Sequence, residues 1–385
     1  NGNALPGQNE SGTVYVDVTI PAYGFITLTK STSAVPDAQT KDDLVLENEL
    51  IRYEFNSDGQ IISAYDKEAG YEVITAKAPA NVISIYYDNP PSNDAWDIDI
   101  TYEKQLIEDA KSCSAVKSAG TVRQTIDFEL NISNSSVKQK AVLGSGKRLD
   151  FITEVDWNES HRMLRTKFPT DIHTSEATYD IQCGYLKRNS HANTSWDLAR
   201  YEVPAHRYAD ISDAQYGIAV LNDSKYGHKV SDKTIDLTLL RSTKYPDFVA
   251  DIGSHEFTYS LLPHTGSLVN SEVIDNAAAI NQPPVAFPGF KTNGAVMPCV
   301  LDSEDIVMEA CKKAEKEDCL VIRLVETKGW RSKGKVRLNR NISKVVRTNM
   351  IEWEDGEEYI LEDSSFDVKL KPFEIATFKV YLSDK

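Results

Sequence analysis

Residues 44–70 read LVLENELIRYEFNSDGQIISAYDKEAG, and this stretch decides the fold class. Residues 44–55 divide into two short apolar-rich runs around Asn48-Glu49, the pattern of a strand pair. Asn56-Ser57-Asp58-Gly59 follows, and Asp-Gly tolerates the positive φ that a tight hairpin turn requires. Residues 61–65 resume the strand, and Asp66-Lys67-Glu68-Ala69-Gly70 turns again.

The same alternation runs outward in both directions. Val14, Val16, Val18 and Ile20 alternate with Tyr15, Asp17 and Thr19, the period of a half-buried strand. Pro21-Ala22-Tyr23-Gly24 then turns, and 25–28 resume. On the C-terminal side, short strands read at 82–87, 121–132, 149–156, 218–221, 235–240 and 257–262. Short strands separated by turn signals predict an all-β sandwich architecture. Residues 306–316 pull the other way, being rich in Ala, Glu and Lys behind Ser303, a helix-cap residue type. The turn at 316–318 leads directly into a strand at 320–325, however, so a hairpin is the expectation here.

A Pro-rich break from Asn281-Gln282-Pro283-Pro284 to Pro288-Gly289 divides the chain. We expect three parts: 1–35 as leading strands of a small β-sandwich, 36–270 as a large many-stranded sandwich, and 271–385 as a smaller C-terminal one. A polar linker, 31–43, isolates the leading strands, which are expected to join another sandwich, the tail being the candidate. The chain opens on Asn1-Gly2-Asn3 without Met and enters a strand at Thr13, which reads as the start of a segment inside a longer protein.

Composition narrows the function. At 385 residues the chain has room for two or three domains of roughly 100–200 residues each. Hydrophobic residues make up 41% and charged residues 26%, which is ordinary globular usage and argues against disorder. The formal net charge of −16 repels polyanions, so neither nucleic acid nor an anionic membrane is an expected partner, whereas a neutral sugar is not penalised. No apolar run approaches the roughly 18 residues of a membrane span. The five cysteines are odd in number, widely spread and without a CxxC pair. Reduced thiols in a cytoplasmic protein are the simplest reading, and neither a zinc ribbon nor a disulfide scaffold is supported. Asn131, Asn158, Asn193 and Asn222 begin four of the seven Asn-x-Ser/Thr sequons, which arise readily by chance.

Three polar, aromatic-rich stretches offer chemistry. Residues 185–228 concentrate His191, Trp196, Asp197, Arg200, Glu202, His206, Arg207, Asp210, Asp223 and Lys225. Carboxylates and guanidinium groups bind vicinal hydroxyls, and indole or phenol rings stack on a pyranose face, which together is what a carbohydrate site needs. Residues 241–264 add Arg241, Asp247, Asp251 and His255 around Gly253, which permits close backbone approach. Asn93-Asp94-Ala95-Trp96-Asp97 adds Trp96 and Asp97. The competing reading of each stretch is that Arg–Asp pairs brace long loops and Trp fills an interface. No G-x-S-x-G, H-E-x-x-H or Walker loop occurs, and the seven histidines are scattered, so no metal site within the chain is expected.

One run is more specific. Asn193-Thr194-Ser195-Trp196-Asp197, Ala199-Arg200-Tyr201-Glu202-Val203, His206, Ala209-Asp210 and the block 216–227 (YGIAVLNDSKYG) resemble, in this order, the α-mannosidases of glycoside hydrolase family 38. Asp94-Ala95-Trp96-Asp97, Leu239-Leu240-Arg241 with Pro246-Asp247, and Asp251-Ile252-Gly253 with His255-Glu256-Phe257-Thr258-Tyr259 agree as well. The resemblance implies an N-terminal α/β catalytic domain, a helical bundle, then a large mutarotase-like super-sandwich and a smaller Ig-like β-sandwich. This chain matches only the β part. The resemblance further implies zinc-assisted retaining hydrolysis of α-mannosides, with the nucleophile and zinc ligands in the N-terminal domain. No position here matches those residues, so no catalytic nucleophile, metal ligand or cofactor of its own is assigned to the chain. Its expected partners are that catalytic domain and an α-mannoside or oligosaccharide. The rim candidates are Trp96, Asp97, Trp196, Asp197, Arg200, His206, Asp210, Arg241, Asp247, Asp251 and His255. The alternative is a self-contained sugar epimerase pairing His206 or His255 with Glu202 or Asp210 as acid and base.

Overall fold

The computed structural model describes residues 4–30, 34–75, 77–290 and 296–383. The stretch 44–70 folds as strands Val45–Glu47, Ile51–Phe55 and Ile61–Asp66, with Ile51 opposite Asp66. Asparagine and aspartate side chains make the turns. Asn48 Oδ1 accepts from the Leu50 and Ile51 amides, and Asn56 Oδ1 from those of Asp58 and Gln60. Asp66 Oδ1 accepts from Glu68 and Ala69. Gly59 and Gly70 take φ of +74° and +72°, the left-handed region that a β-carbon disfavours.

This small sheet is one wall of a larger unit. A ten-stranded antiparallel sheet runs, edge to edge, from Gly184–Asn189 through Glu176–Ile181, Tyr208–Ser212, Tyr216–Asn222, Gly253–Thr265, Leu149–Trp157, Ser135–Leu143, Gln124–Ile132 and Lys111–Ala119 to Gln39–Lys41. A six-stranded sheet, centred on Thr234–Ser242 and Arg162–Pro169, packs with it. Alternation sends Phe128, Leu130, Phe151, Val155 and Trp157 inward to meet Ile51, Tyr53 and Phe55 from the small sheet and Leu164, Phe168 and Leu237 from the six-stranded one. Phe151 and Tyr259 stack at 5.1 Å between ring centroids inside this core. The chain is all-β, with the large super-sandwich and the smaller sandwich expected from the sequence.

The smaller unit faces a three-stranded sheet (Cys299–Asp302, Ser332–Leu338, Ser365–Leu370) with a five-stranded one. Ile306–Lys313 is a strand paired with Leu320–Glu326, as expected of the hairpin and against the local composition. Tertiary pairing overrides helix propensity here, because Ile306 is buried while the charged side chains of the segment stay outside. At the junction of the two sandwiches, Tyr185 meets Phe373 edge-on at 5.2 Å and donates its hydroxyl to the Lys328 carbonyl.

Two parts differ from expectation. Val273–Asn281, placed with the tail by the sequence reading, is an α-helix whose Val273, Ile274 and Ala277 pack on Tyr208, Ala219, Leu221 and Leu262 of the large sheet. Its short length gave too little periodicity to detect. The leading segment does not simply join the tail. Gly7–Glu10 pairs with Thr13–Val16, and this hairpin docks on the large unit, where Gln8 Oε1 accepts from the Val122 and Arg123 amides and Glu10 pairs with Arg123. Phe25, bridging Val296, and Tyr23, accepting from the Met308 amide, reach the C-terminal unit.

Candidate functional site

Antiparallel register gathers the candidate loops at one end of the super-sandwich. Arg162 lies opposite both Tyr87 and Ser242, so residues 88–105, 158–161 and 243–252 leave the sheets on the same side. Trp157 lies opposite Gly253 and Asn222 opposite Tyr259, which adds the turn 223–226. Val203 and Pro204 pair with His228 and Gly227, which brings the excursion 190–207 to this end. Segments far apart in sequence therefore share one surface.

Within it, the residues divide into braces and exposed groups. Arg241 is a brace. Its guanidinium binds both carboxylate oxygens of the buried Asp88 and donates to the Asp94 and Asp97 carbonyls. Asp94 in turn accepts from the Lys244 and Tyr245 amides. Together they lock the 93–97 turn against the 243–252 loop, and Trp96 is left 69% exposed with its ring 6.2 Å from that of Tyr245. Asp97 offers its carboxylate to solvent apart from accepting the Ile98 amide. Asp247 accepts from the Val249 amide.

Asp251 sits at φ +59°, a left-handed position that Asp tolerates. Its carbonyl, not its carboxylate, meets His255 Nε2 at 2.7 Å. The Asp251 carboxylate is not part of this contact and stays exposed. Lys225 lies nearby, its ammonium 4.2 Å from the Phe257 ring centroid. Burial lowers the Lys225 pKa against the opposing pull of Asp251 and Asp223.

Ser195–Leu198 forms a single helical turn closed by a capping box: Asp197 accepts from Thr194, and the Thr194 hydroxyl accepts from the Asp197 amide. Thr194 first, then Asn189, holds the Asp197 carboxyl below its ordinary pKa. Asp197 is thus a cap, while Trp196 is 76% exposed and Arg200 makes no ion pair among the described residues. His206 packs on Tyr226 at 5.2 Å and contacts Gln182.

Asp210 is corrected outright. It is fully buried, bonded to His264 at 2.7 Å and to the Ser212 hydroxyl, and it points into the interior rather than at the loop end. The strand period, which alternates faces, buries it, and Gly217 leaves the room that His264 needs. Glu202 is also committed. Tyr102 donates to it at 2.6 Å and Arg165 stands 2.9 Å away. Burial raises its pKa against the pull of Arg165. Among the described residues, neither His206 nor His255 bonds to Glu202 or Asp210, so those expected pairings do not form.

The sequence reading missed the apolar part of this end. Tyr245, beside Trp96, is 62% exposed, and Phe248 and Val249 are 72% and 64% exposed. Their signal was an aromatic-rich loop, YPDFVADI, lying between two strands without a strand's period. Exposed apolar clusters of this kind mark contact surfaces. Among the described residues, no group of three or more His, Cys, Asp or Glu side chains is placed to hold a metal ion.

Comparison with known proteins meets this geometry. The family model described as "Glycosyl hydrolases family 38 C-terminal domain" matches residues 46–249, and that described as "Glycosyl hydrolases family 38 C-terminal beta sandwich domain" matches 305–378. Alpha-mannosidase 2C1 of Homo sapiens is 34% identical over 385 residues, covering 95% of this chain and 37% of that protein. Alpha-mannosidase G of Dictyostelium discoideum is 33% identical over 394 residues, covering 94% of this chain and 36% of that protein. An alpha-mannosidase from Enterococcus faecalis shares the fold at a TM-score of 0.71 and 15% identity, covering 90% of this chain and 44% of that one. The chain thus spans little more than a third of the curated relatives it matches. With one family model covering more than half of its residues and a second covering its smaller sandwich, the chain belongs to glycosyl hydrolase family 38, as part of the C-terminal region.

Proposed function

We propose that this chain is the β-sandwich part of an α-mannosidase acting on terminal α-D-mannosides, and that its loop-rich end faces the catalytic domain and closes one side of the substrate site. The observation that carries the reading is the convergence of exposed Trp96, Phe248, Asp251 and Trp196 loops at one end of a rigid sandwich. Loops on a rigid β scaffold commonly supply binding residues. The apolar groups suit a domain contact, and Asp251, left unpaired, suits a sugar hydroxyl.

In this reading the nucleophile and zinc belong to an N-terminal catalytic domain of the whole protein. Retaining hydrolysis needs two carboxyls about 5–5.5 Å apart around the scissile bond. Glu202 and Asp210, the buried carboxylates of the motif run, are engaged with Arg165 and His264. Among the described residues no cluster fits a zinc site, so no step is routed through the metal in this chain. The role of these loops is to bind, orient and exclude water. The five free cysteines support a reducing, cytoplasmic setting. The net charge of −16 supports a neutral substrate rather than nucleic acid. Among the described residues no helix is long and apolar enough to cross a membrane.

Asp251→Asn in the full-length enzyme tests the rim role, because Asn keeps the left-handed backbone while losing the charge. Replacing a charged hydrogen bond with a neutral one costs about 1–1.5 kcal/mol. A roughly five- to tenfold fall in kcat/KM on a mannoside is expected, with the melting temperature unchanged. Unaltered kcat/KM would remove Asp251 from the rim.

A further inference from the structure

The smaller sandwich of this acidic chain holds an open cleft of about 540 Å³ lined by Arg331, Lys333, Arg347, Lys369 and Lys371, with Glu374 as the one carboxylate among its lining residues. Five cations against one anion leave a formal +4 in a chain whose total is −16. Glu374 is already committed, accepting from Arg347 at 2.5 Å and from the Lys371 amide at 2.7 Å. Arg331, Lys333, Lys369 and Lys371 form no ion pair with any described residue.

Register makes this concentration costly. Lys333 lies directly opposite Lys369 in the antiparallel pair of Ser332–Leu338 with Ser365–Leu370, both side chains on the outer face. Like charges directly opposite destabilise a sheet. The next outward rung shows the usual remedy. Lys335 lies opposite Asp367, and its ammonium is 3.5 Å from that carboxylate and 3.2 Å from Glu362. One rung is neutralised and its neighbour is left doubly positive. Protection of an edge strand by lysine accounts for Lys369, which lies on the edge strand of its sheet. It does not account for Arg347, contributed by the opposing sheet.

We propose that this cleft binds a phosphoryl or sulfo group carried on a small polar ligand, at a site separate from the loop-rich end of the large sandwich. A tetrahedral oxyanion presents several acceptor oxygens. The planar guanidinium groups of Arg331 and Arg347 can each donate two parallel bonds to it, while lysine ammonium groups act as point charges. The volume lies within the range of small-molecule sites, roughly 300–1,000 Å³. Glu374 fixes Arg347 and leaves acceptor capacity at the rim for ligand hydroxyls.

Isothermal titration of the chain with inorganic pyrophosphate, phosphate and sulfate at 0.05 and 0.15 M salt (low and about physiological strength) tests this. Saturable one-to-one binding that weakens with salt is expected. Phosphate binding at least tenfold tighter than sulfate assigns a phosphoryl group, and comparable binding assigns the site to sulfo groups as well. Lys333→Glu combined with Lys369→Glu should weaken pyrophosphate binding at least tenfold, whereas Lys138→Glu on the large sandwich should change it less than twofold. Lys333→Glu alone supplies a second readout. It replaces a like-charge rung with an opposite-charge one, so its melting temperature should rise while its affinity falls. No saturable binding by the unaltered chain, or equal binding by the double variant with its fold intact, would overturn the proposal.

Discussion

Arg165→Met is expected to destabilise the chain by about 3–5 kcal/mol, because it strands two buried carboxylates. The Arg165 guanidinium is fully buried and donates to Asp236 at 2.8 Å and to the Thr238 hydroxyl at 2.7 Å, with Glu202 at 2.9 Å. Burial opposes its charge, but Asp236 and Glu202 outweigh that and hold it firmly protonated. The network also anchors the functional end. Tyr102 donates to Glu202, and the neighbouring Tyr201 donates to the Ile98 carbonyl, tying the 88–105 loop to the 190–207 excursion. Urea unfolding measures the loss. A double variant, Arg165→Met with Glu202→Gln, should recover part of it, since removing both members of a buried pair is far milder than removing one. A loss under about 1 kcal/mol for the single variant would mean that water reaches the site and the charges are not buried as described.

Acidification should produce the next largest effect, through His228. This ring is fully buried, and burial pushes its pKa down to about 4, with the Arg165 charge acting in the same direction. Its Nδ1 lies 3.2 Å from the Tyr226 carbonyl, and its Nε2 has no partner among the described residues. Above the unfolded value of 6.5 neither state is protonated there, so His228 costs nothing. As pH falls through 6.5 towards 4, the unfolded chain takes up a proton that the folded chain refuses, and stability is lost. At about 1.4 kcal/mol per pH unit, the loss approaches about 3 kcal/mol by pH 4. His228→Gln should flatten this part of the stability profile relative to the parent. Carboxylates titrate in both proteins, so the difference between the two curves isolates the histidine. Parallel curves between pH 6.5 and 4 would show that His228 is protonated in the fold.

The architecture was legible in the sequence because β alternation and turn chemistry are local. The Asn48, Asn56 and Asp66 turns are made by the side chains of those very residues. The hairpin at Ile306–Lys313 was legible for the same reason: a turn followed at once by a strand constrains the segment before it. What failed was whatever depends on distant partners. Asp210 sits in a run dense with exposed polar residues, and only its pairing with His264, far along the chain, shows that it faces inward. Arg241 looked like a sugar ligand because arginine serves that role, yet the buried Asp88 and the 93–97 carbonyls occupy it. The exposed Phe248 and Val249 went unread, since an apolar residue in sequence is presumed buried until the fold leaves it outside.

Assaying the purified chain on an aryl α-mannoside with added zinc tests whether it supports a mannoside-cleaving site without containing it. No turnover above buffer is expected from the chain alone, with activity present in the full-length protein under the same conditions. Robust zinc-dependent turnover by the chain itself, free of contaminating enzyme, would contradict it.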